Sequence, residues 1–213
     1  MSEYGPVGHQ IEIEVPGSGT WWGYTNAAPP KEMCCIDQLR TVSGPALLGA
    51  AFHEAGHAVV ALHAGMPPVD LDVSPGAVCP RCGAQQAHGV NHGVSFSAAP
   101  PDDVLMVLAA GVQADLAQAR ICGPVSPAEQ WAIEVGGLDD QHLARELVDL
   151  LPDDNRLDYG PAGTRPRPWN WLHQQQRAHS EVLRLWPRIE AVALRLLVDH
   201  RVPAADLPAL ALG

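Results

Sequence analysis

The pattern of hydrophobic and polar positions along this chain predicts a mostly helical protein with a small amount of strand. Apolar residues recur at helical spacing in residues 45–64, 101–121, 139–151 and 169–200, and a short capped helix is predicted after Ser126. Apolar and polar residues alternate, as in half-buried strands, at 11–15 and 69–73, and residues 93–97 are a further strand candidate. We therefore predict an α+β fold dominated by helices, with a small β-sheet and a C-terminal helical bundle.

Glycine, proline and serine are concentrated at the N-terminus and separate it from the helical remainder. We interpret residues 1–43 as an N-terminal extension that is partly irregular, and residues 44–213 as a single domain. A Cys/His-rich insert at about 74–93 lies between two predicted strands. The chain of 213 residues is long enough for such a domain to bury a hydrophobic core.

The first predicted helix contains the stretch AFHEAGHAVVALHAG, residues 51–65. Its His53 and His57 are four residues apart and share one helix face, and Glu54 follows the first of them. Catalytic zinc sites use three protein ligands, often histidines, and leave one position to water. Glu54 would serve as general base toward that water. The alternative is an alanine-rich core helix with incidental histidines, but burying such a charged set without a partner is costly, which favours the metal.

Two other residues of this stretch refine the interpretation. His63 lies six residues after His57, off the ligand face, and is expected to have a structural or surface role. Gly56 costs a helix about 1 kcal/mol relative to alanine, so we expect a close neighbour at that position.

Composition and charge exclude several classes of function. The formal net charge of -11 argues against nucleic acid and anionic membranes as partners. The one lysine, Lys31, lies in PPKEMCC, outside any glycine-rich turn, so no Walker A phosphate loop is present. No uninterrupted apolar run approaches the roughly 18 residues of a membrane span, and the acidic N-terminus does not have the pattern of a signal peptide. These features predict a cytoplasmic protein.

The HEAGH helix and the segments after it resemble, in order, the peptidase domain of the FtsH-type AAA+ zinc metalloproteases. FHEAGHAVVALHAG resembles the zinc helix of that family, and VDLDVSP and HGVSF resemble its strands. Further along, LAAGVQADL resembles its GGRxAE helix, VGGLDDQHLAREL its GAxxDLxxAT segment, and LRLLVDHRVPAADLPAL its C-terminal ending. The resemblance covers about residues 45–210. It implies a zincin-like fold and zinc-dependent endopeptidase activity.

The resemblance also implies a third metal ligand and a substrate-binding strand. The family's third zinc ligand is the aspartate of a Gly-x-x-x-Asp segment, which Gly136 and Asp140 match. Asp139 is the alternative by a slip of one residue, and an N-cap pair is the non-catalytic explanation for both. The family's edge strand pairs with an extended substrate, and an ordinary hairpin partner is the alternative. The corresponding residues here are Gly93, Val94, Ser95 and Phe96.

Two departures from the family change what the resemblance implies. The arginine of GGRxAE is Val112 here and its glutamate is Asp115, so the role of that pair is open. These 213 residues hold no ATPase motor or membrane anchor. The implied substrate is therefore an unfolded or extended polypeptide, or one delivered by a separate ATPase. The family's protease rings suggest a homo-oligomer.

The Cys/His-rich insert contains a candidate second metal site. The sequence CPRCG places Cys79 and Cys82 on a tight turn, where both thiolates can face one ion. His88 and His92 would complete a Cys2His2 structural zinc site. The alternatives are a redox pair, free thiols, or ligation by the cysteine pair at 34–35.

These observations predict a zinc metallopeptidase that acts without ATP in this chain, with one catalytic Zn²⁺ and a second structural one. Two alternatives from other classes remain. One is a metal-dependent peptide-modifying enzyme, such as a hydroxylase that uses HExxH to hold iron. The other is a non-catalytic binding or regulatory module that retains the fold.

Overall fold

The computed structural model of the protein describes residues 8–15, 19–32, 34–35, 46–92, 99–152, 155–160 and 167–212. These residues form an α+β fold that is mostly helical, as predicted. A 3₁₀ turn, Arg167–Trp169, precedes the longest helix. In chain order the elements are β1 His9–Val15, β2 Gly19–Thr25, α1 Ala46–His63, β3 Asp70–Val78, β4 Gln85–His92, α2 Pro101–Cys122, α3 Pro127–Gly136, α4 Leu138–Asp149, α5 Trp171–Asp199, β5 Arg201–Val202 and α6 Leu207–Leu212.

The core is formed by α1, α2 and α5, which pack against one another, while α1 also contacts β3 and β4. Gly56 lies where α1 meets α2. A Cβ atom at Gly56 would lie 2.6 Å from the Cβ of Ala114 and 2.8 Å from the carbonyl oxygen of Ala110. The close neighbour expected from the sequence is therefore present. It brings α2 directly against the face of α1 that carries the histidines.

Helix α2 is more apolar than the sequence analysis recognised. Among the described residues it is the one helix long and apolar enough to cross a bilayer, and 89% of its apolar stretch is buried inside the protein. Core helices commonly meet the same criterion, so this is weak evidence for a membrane span.

A three-stranded antiparallel sheet has the order β4-β3-β5. In β3 and β4, Val73 lies opposite Gly89 and Asp70 opposite His92. The predicted strand at 69–73 continues to Val78, and most of the Cys/His-rich insert at 74–93, for which a loop was expected, is paired strand. Much of strand β4 is solvent-exposed, and its sequence QQAHGVNH contains few apolar residues. It therefore lacks the alternation of apolar and polar residues by which strands are predicted.

The described part of the N-terminal extension contains more strand than predicted. Strands β1 and β2 form an antiparallel hairpin, of which only the first strand was anticipated. Gln141 of α4 holds this hairpin: its Oε1 accepts from the Tyr24 N–H at 2.9 Å, and its Nε2 donates to the Tyr24 carbonyl at 2.9 Å. The buried Glu134 carboxylate accepts from the N–H groups of Asn26 and Ala27, at 2.7 and 3.0 Å. The predicted boundary at 43–44 lies outside the described residues.

The break between α3 and α4 determines where the candidate third ligand lies. Ser126 caps α3, since its Oγ accepts from the Glu129 N–H at 3.2 Å, as the sequence predicted. The helix ends at Gly136, and Gly137 separates it from α4. Asp140 consequently lies in the first turn of α4, where the helix dipole favours a carboxylate.

Candidate metal centre

The structure brings together His53 and His57 of α1 with Asp140 of α4. The two Nε2 atoms are 3.0 Å apart. The Asp140 carboxylate lies 3.2 Å from the His53 Nε2 through Oδ2 and 3.3 Å from the His57 Nε2 through Oδ1. Asp140 is buried, whereas Asp139 is exposed at the edge of the same cavity. Of the two carboxylates that the sequence left open, Asp140 is the one that meets the histidines.

The three residues fit a tetrahedral metal ion. Ligand atoms at 2.0–2.1 Å from a tetrahedral zinc are about 3.3–3.4 Å apart. The three observed separations of 3.0, 3.2 and 3.3 Å are close to that value. Two imidazoles and a carboxylate also match the nitrogen and oxygen donors that zinc accepts in catalytic sites. This donor set leaves one tetrahedral position without a ligand from the group.

A backbone carbonyl orients the second histidine. The His57 Nδ1 lies 2.7 Å from the carbonyl oxygen of Val107 in α2. A carbonyl can only accept, so Nδ1 carries the proton and the neutral ring has its Nε2 lone pair directed toward Asp140 and His53. Metal-bound histidines are commonly fixed in this way through their other nitrogen.

The electrostatics of the group favour a bound cation. Burial lowers the pKa of His53, but the hydrogen bond and charge of Asp140 outweigh it and raise that pKa to about 10. Burial raises the pKa of Asp140, yet the charges and hydrogen bonds of the two histidines hold it well below its usual range. The charge of Asp115 in α2 also raises the pKa of His53. The cluster therefore retains positive charge, as protons or as a metal ion.

Two glycines make room for the ligands. A Cβ atom at Gly111 of α2 would lie 2.3 Å from the His57 Nε2 and 2.6 Å from the His53 Nε2. A Cβ atom at Gly137 would lie 2.1 Å from the Val112 side chain and 3.3 Å from the Asp140 Oδ2. Any other residue at either position would collide with the site or its support. The helices can thus approach only because these positions lack a side chain.

Glu54 lies beside the ligand group and contacts strand β4. The Asn91 Nδ2 donates to the Glu54 Oε2. Gly89 of β4 faces the same carboxylate, since a Cβ atom there would lie 2.4 Å from the Glu54 Oε1. Burial raises the pKa of Glu54, against the opposing charges of His53 and His57. A carboxylate with a raised pKa is suited to accept and release a proton near neutral pH.

A cavity of about 470 Å³ opens onto this group. His53, Glu54 and Asp140 form its base, and Val90 and Leu143 contribute apolar surface. In the part of the chain that the structure describes, no strand pairs with the outer side of β4, so β4 forms an edge of the sheet beside the cavity. The predicted substrate-binding residues lie outside the described residues; these are Gly93, Val94, Ser95 and Phe96.

The predicted Cys2His2 set is not brought together. The His92 Nε2 lies 2.8 Å from the Asp72 Oδ2, and His88 lies opposite Ser74 in the sheet. Because a strand advances about 3.3 Å per residue, these histidines are roughly 23 and 10 Å along β4 from its first residue, which follows the cysteine turn. The cysteines instead meet the pair at 34–35, one of the alternatives weighed from the sequence.

Sequence reasoning missed the residues that support the site. Asn91 was read as part of a loop, and Val107 acts through its backbone, which no side-chain pattern reveals. Gly89 and Gly111 did carry a signal, because a glycine within a strand or helix is destabilising unless something approaches closely.

Comparison with known proteins does not identify a family. No protein-family model matches the chain, and no curated protein matches its sequence.

Proposed function

We propose that this protein is a zinc-dependent metallopeptidase that hydrolyses peptide bonds in unfolded or extended polypeptide. One observation carries the proposal: three ligand atoms converge at separations of 3.0–3.3 Å, and the Glu54 carboxylate lies beside them on an open cavity. The order of motifs that resembles the FtsH-type peptidases supports the same activity.

The roles of the residues follow from their positions. A zinc ion held by His53, His57 and Asp140 would lower the pKa of the attacking water and polarise the scissile carbonyl. Glu54 accepts the proton from that water and donates it to the leaving amine. Asn91 orients the Glu54 carboxylate through its amide N–H. Its Oδ1 is buried without a hydrogen-bond partner among the described residues and remains available to a substrate N–H.

Strand β4 supports an extended polypeptide as the substrate. Its outer edge is unpaired among the described residues and runs past Glu54. An extended chain added to such an edge forms main-chain hydrogen bonds that require little sequence specificity. The apolar surface of Val90 and Leu143 favours an apolar side chain next to the cleaved bond.

The binding partners and the oligomeric state of the protein are predicted from its charge and from the family resemblance. The net charge of -11 disfavours nucleic acid and anionic membranes as partners. A folded substrate would require a separate ATPase to unfold it. A homo-oligomer is expected by the resemblance alone, and light scattering on the purified protein would test it.

The proposal is tested by comparing wild type, Glu54→Gln and Glu190→Gln on unfolded casein. Glu190 is an exposed residue of α5, remote in sequence from the site, and controls for the loss of a carboxylate. We expect Glu54→Gln to retain bound zinc and to lose about 10²- to 10⁴-fold in peptide release, the usual contribution of a general base. Glu190→Gln should match wild type.

Two outcomes would reject the peptidase. Zinc-loaded wild type that cleaves casein no faster than Glu54→Gln would favour a binding module. Purified protein that contains iron and turns over only with oxygen would favour a peptide hydroxylase. Both measurements need the metal content of each preparation.

A further inference from the structure

Three cysteine sulfurs converge at the tip of the β3–β4 hairpin, and a fourth contacts one of them. The Cys34 Sγ lies 3.6 Å from the Cys79 Sγ, and the Cys35 Sγ lies 3.4 Å from the Cys82 Sγ. The sulfurs of Cys34, Cys79 and Cys82 all lie within 4.8 Å of one another. All four residues are partly buried. Two segments that are 44 residues apart at their nearest thus bring their thiols into contact.

The turn between β3 and β4 has the shape that lets one sulfur accept several backbone hydrogen bonds. The Cys79 N–H donates to the Ala84 carbonyl at 2.8 Å, and the Gly83 N–H donates to the Cys79 carbonyl at 2.9 Å. Gly83 has φ of +74°, which glycine adopts without strain. The backbone N–H groups of Cys82 and Arg81 donate to the Cys79 sulfur. A tight turn of this kind lets two cysteines three residues apart present their thiolates to one ion.

The sulfur separations distinguish a metal site from disulfides. Sulfurs bound to a tetrahedral zinc at about 2.3 Å are about 3.8 Å apart, whereas a disulfide bond is about 2.0 Å long. The observed 3.4 and 3.6 Å lie close to the first value. Tetrahedral sets of four thiolates select zinc or iron–sulfur chemistry. A closed set with four protein ligands is typical of structural rather than catalytic zinc.

We propose that Cys34, Cys35, Cys79 and Cys82 bind a structural zinc ion that fastens the N-terminal segment to the tip of the β3–β4 hairpin. Cys35, whose sulfur lies 3.4 Å from the Cys82 Sγ, is the fourth ligand. Each thiol that binds releases its proton to solvent. The site is separate from the histidine group and lies at the opposite end of β4 from Asn91.

The position of this zinc gives it a role in shaping the cavity. Strand β4 begins directly after the cysteine turn and carries Gly89 and Asn91 against Glu54. A hairpin anchored at its tip is constrained along its length, so the zinc would limit the motion of β4 beside the cavity. The N-terminal segment would supply two of the four ligands of that zinc, Cys34 and Cys35.

The experiment measures zinc per chain in protein purified from zinc-supplemented medium. We expect two zinc ions in wild type, one in Cys79→Ser/Cys82→Ser and one in His53→Ala/His57→Ala. Cys122→Ser is the matched control, because Cys122 is exposed and its sulfur accepts a hydrogen bond from the Gln118 side chain of the same helix. It should retain two. One zinc in wild type, unchanged in the Cys79/Cys82 variant, would overturn this inference.

Cobalt replacement and thiol counting test the site without a cysteine variant, so that misfolding of such a variant does not decide the outcome. Wild type loaded with Co²⁺ should show intense thiolate-to-cobalt charge transfer in the near ultraviolet, retained by His53→Ala/His57→Ala. Denatured, unreduced, metal-free protein should contain five reactive thiols, because the chain has five cysteines. One thiol would mean two disulfides, and iron in place of zinc would overturn the metal assignment.

The same measurements separate this site from the proposed active site. Loss of zinc only in the histidine variant would support the catalytic centre and reject the thiolate site. Loss only in the cysteine variant would do the reverse. Cys35→Ser tests the fourth ligand: we expect zinc to leave to a chelator at least tenfold faster than from wild type, and an unchanged rate would exclude Cys35.

Discussion

The histidine group and the cysteine group are built in opposite ways. The first lies among the packed helices α1, α2 and α4, and its ligands are oriented by the Val107 carbonyl and by the close approach of Gly111. The second lies at a hairpin tip and on a short N-terminal stretch, with partly buried residues on both sides. Both groups have donor atoms at separations that suit one ion.

The two groups differ in what stabilises the arrangement of their ligands. Helix packing holds the histidine group together, so that its arrangement does not depend on the ion. The cysteine group has little apolar burial around it, and its ion must supply the free energy that fastens the two segments. A preorganised site suits catalysis, because the ligands do not move when the reaction needs them. A site that is organised by its ion suits a structural role, in which the ion joins two segments of the chain.

The largest expected effect comes from Gly111→Ala, which breaks the preorganised group. The new methyl would collide with both imidazoles, at 2.3 and 2.6 Å. Overpacking typically costs about 1–3 kcal/mol, against a helix-propensity gain of about 1 kcal/mol. We expect loss of the active-site zinc and of all peptide release, while the zinc at the cysteines stays. Gly136→Ala is the control, because nothing lies within 4 Å of its Cβ position. Zinc retained at both sites in Gly111→Ala would show that the histidines can move aside.

Removal of both ions by a chelator should affect the two regions unequally. In the metal-free protein the amide hydrogens of the cysteine turn, such as those of Cys79 and Gly83, should exchange at least tenfold faster than in the zinc-loaded protein. The amide hydrogens of α1 should keep their protection, because helix packing and not the ion holds them. Hydrogen exchange followed by mass spectrometry measures both. Equal loss of protection in α1 would mean that the ion organises both groups.

The contrast also explains what could be predicted from the sequence. The HExxH helix was predictable, because i and i+4 spacing places both ligands on one face by local geometry. Asp140 was found from the family resemblance and not from local pattern, since 83 residues separate it from His57. The meeting of Cys34 and Cys35 with the hairpin depends on the path of the chain, so sequence spacing favoured the nearer His88 and His92. Cysteines distant along the chain give no periodic signal that would join them.

Asn91→Ala should sharpen the comparison at the point where the hairpin reaches the active site. Loss of its hydrogen bond removes an interaction of about 1.5–3 kcal/mol with a charged group, so we expect peptide release to fall at least tenfold. Because that bond favours the ionised carboxylate, its loss raises the pKa of Glu54 further. The acidic limb of the pH–activity profile should then move to higher pH. Asn155→Ala, which removes an exposed hydrogen bond to the Pro152 carbonyl, is the control. An unchanged profile would mean that Asn91 does not orient Glu54.

The smallest effect is expected at the other attachment of the N-terminal extension. Glu134→Gln weakens the hydrogen bonds to the Asn26 and Ala27 N–H groups, and we expect a loss of about 1 kcal/mol in the free energy of unfolding, measured with urea. If the cysteine zinc fastens the extension independently, Glu134→Gln and Cys79→Ser/Cys82→Ser should add to within about 0.5 kcal/mol. A loss of cysteine-bound zinc in Glu134→Gln would instead mean that the β1–β2 hairpin and the cysteine zinc site form one cooperative unit. The extension would then be held by its contacts with the helices, and the zinc would report that attachment without providing it.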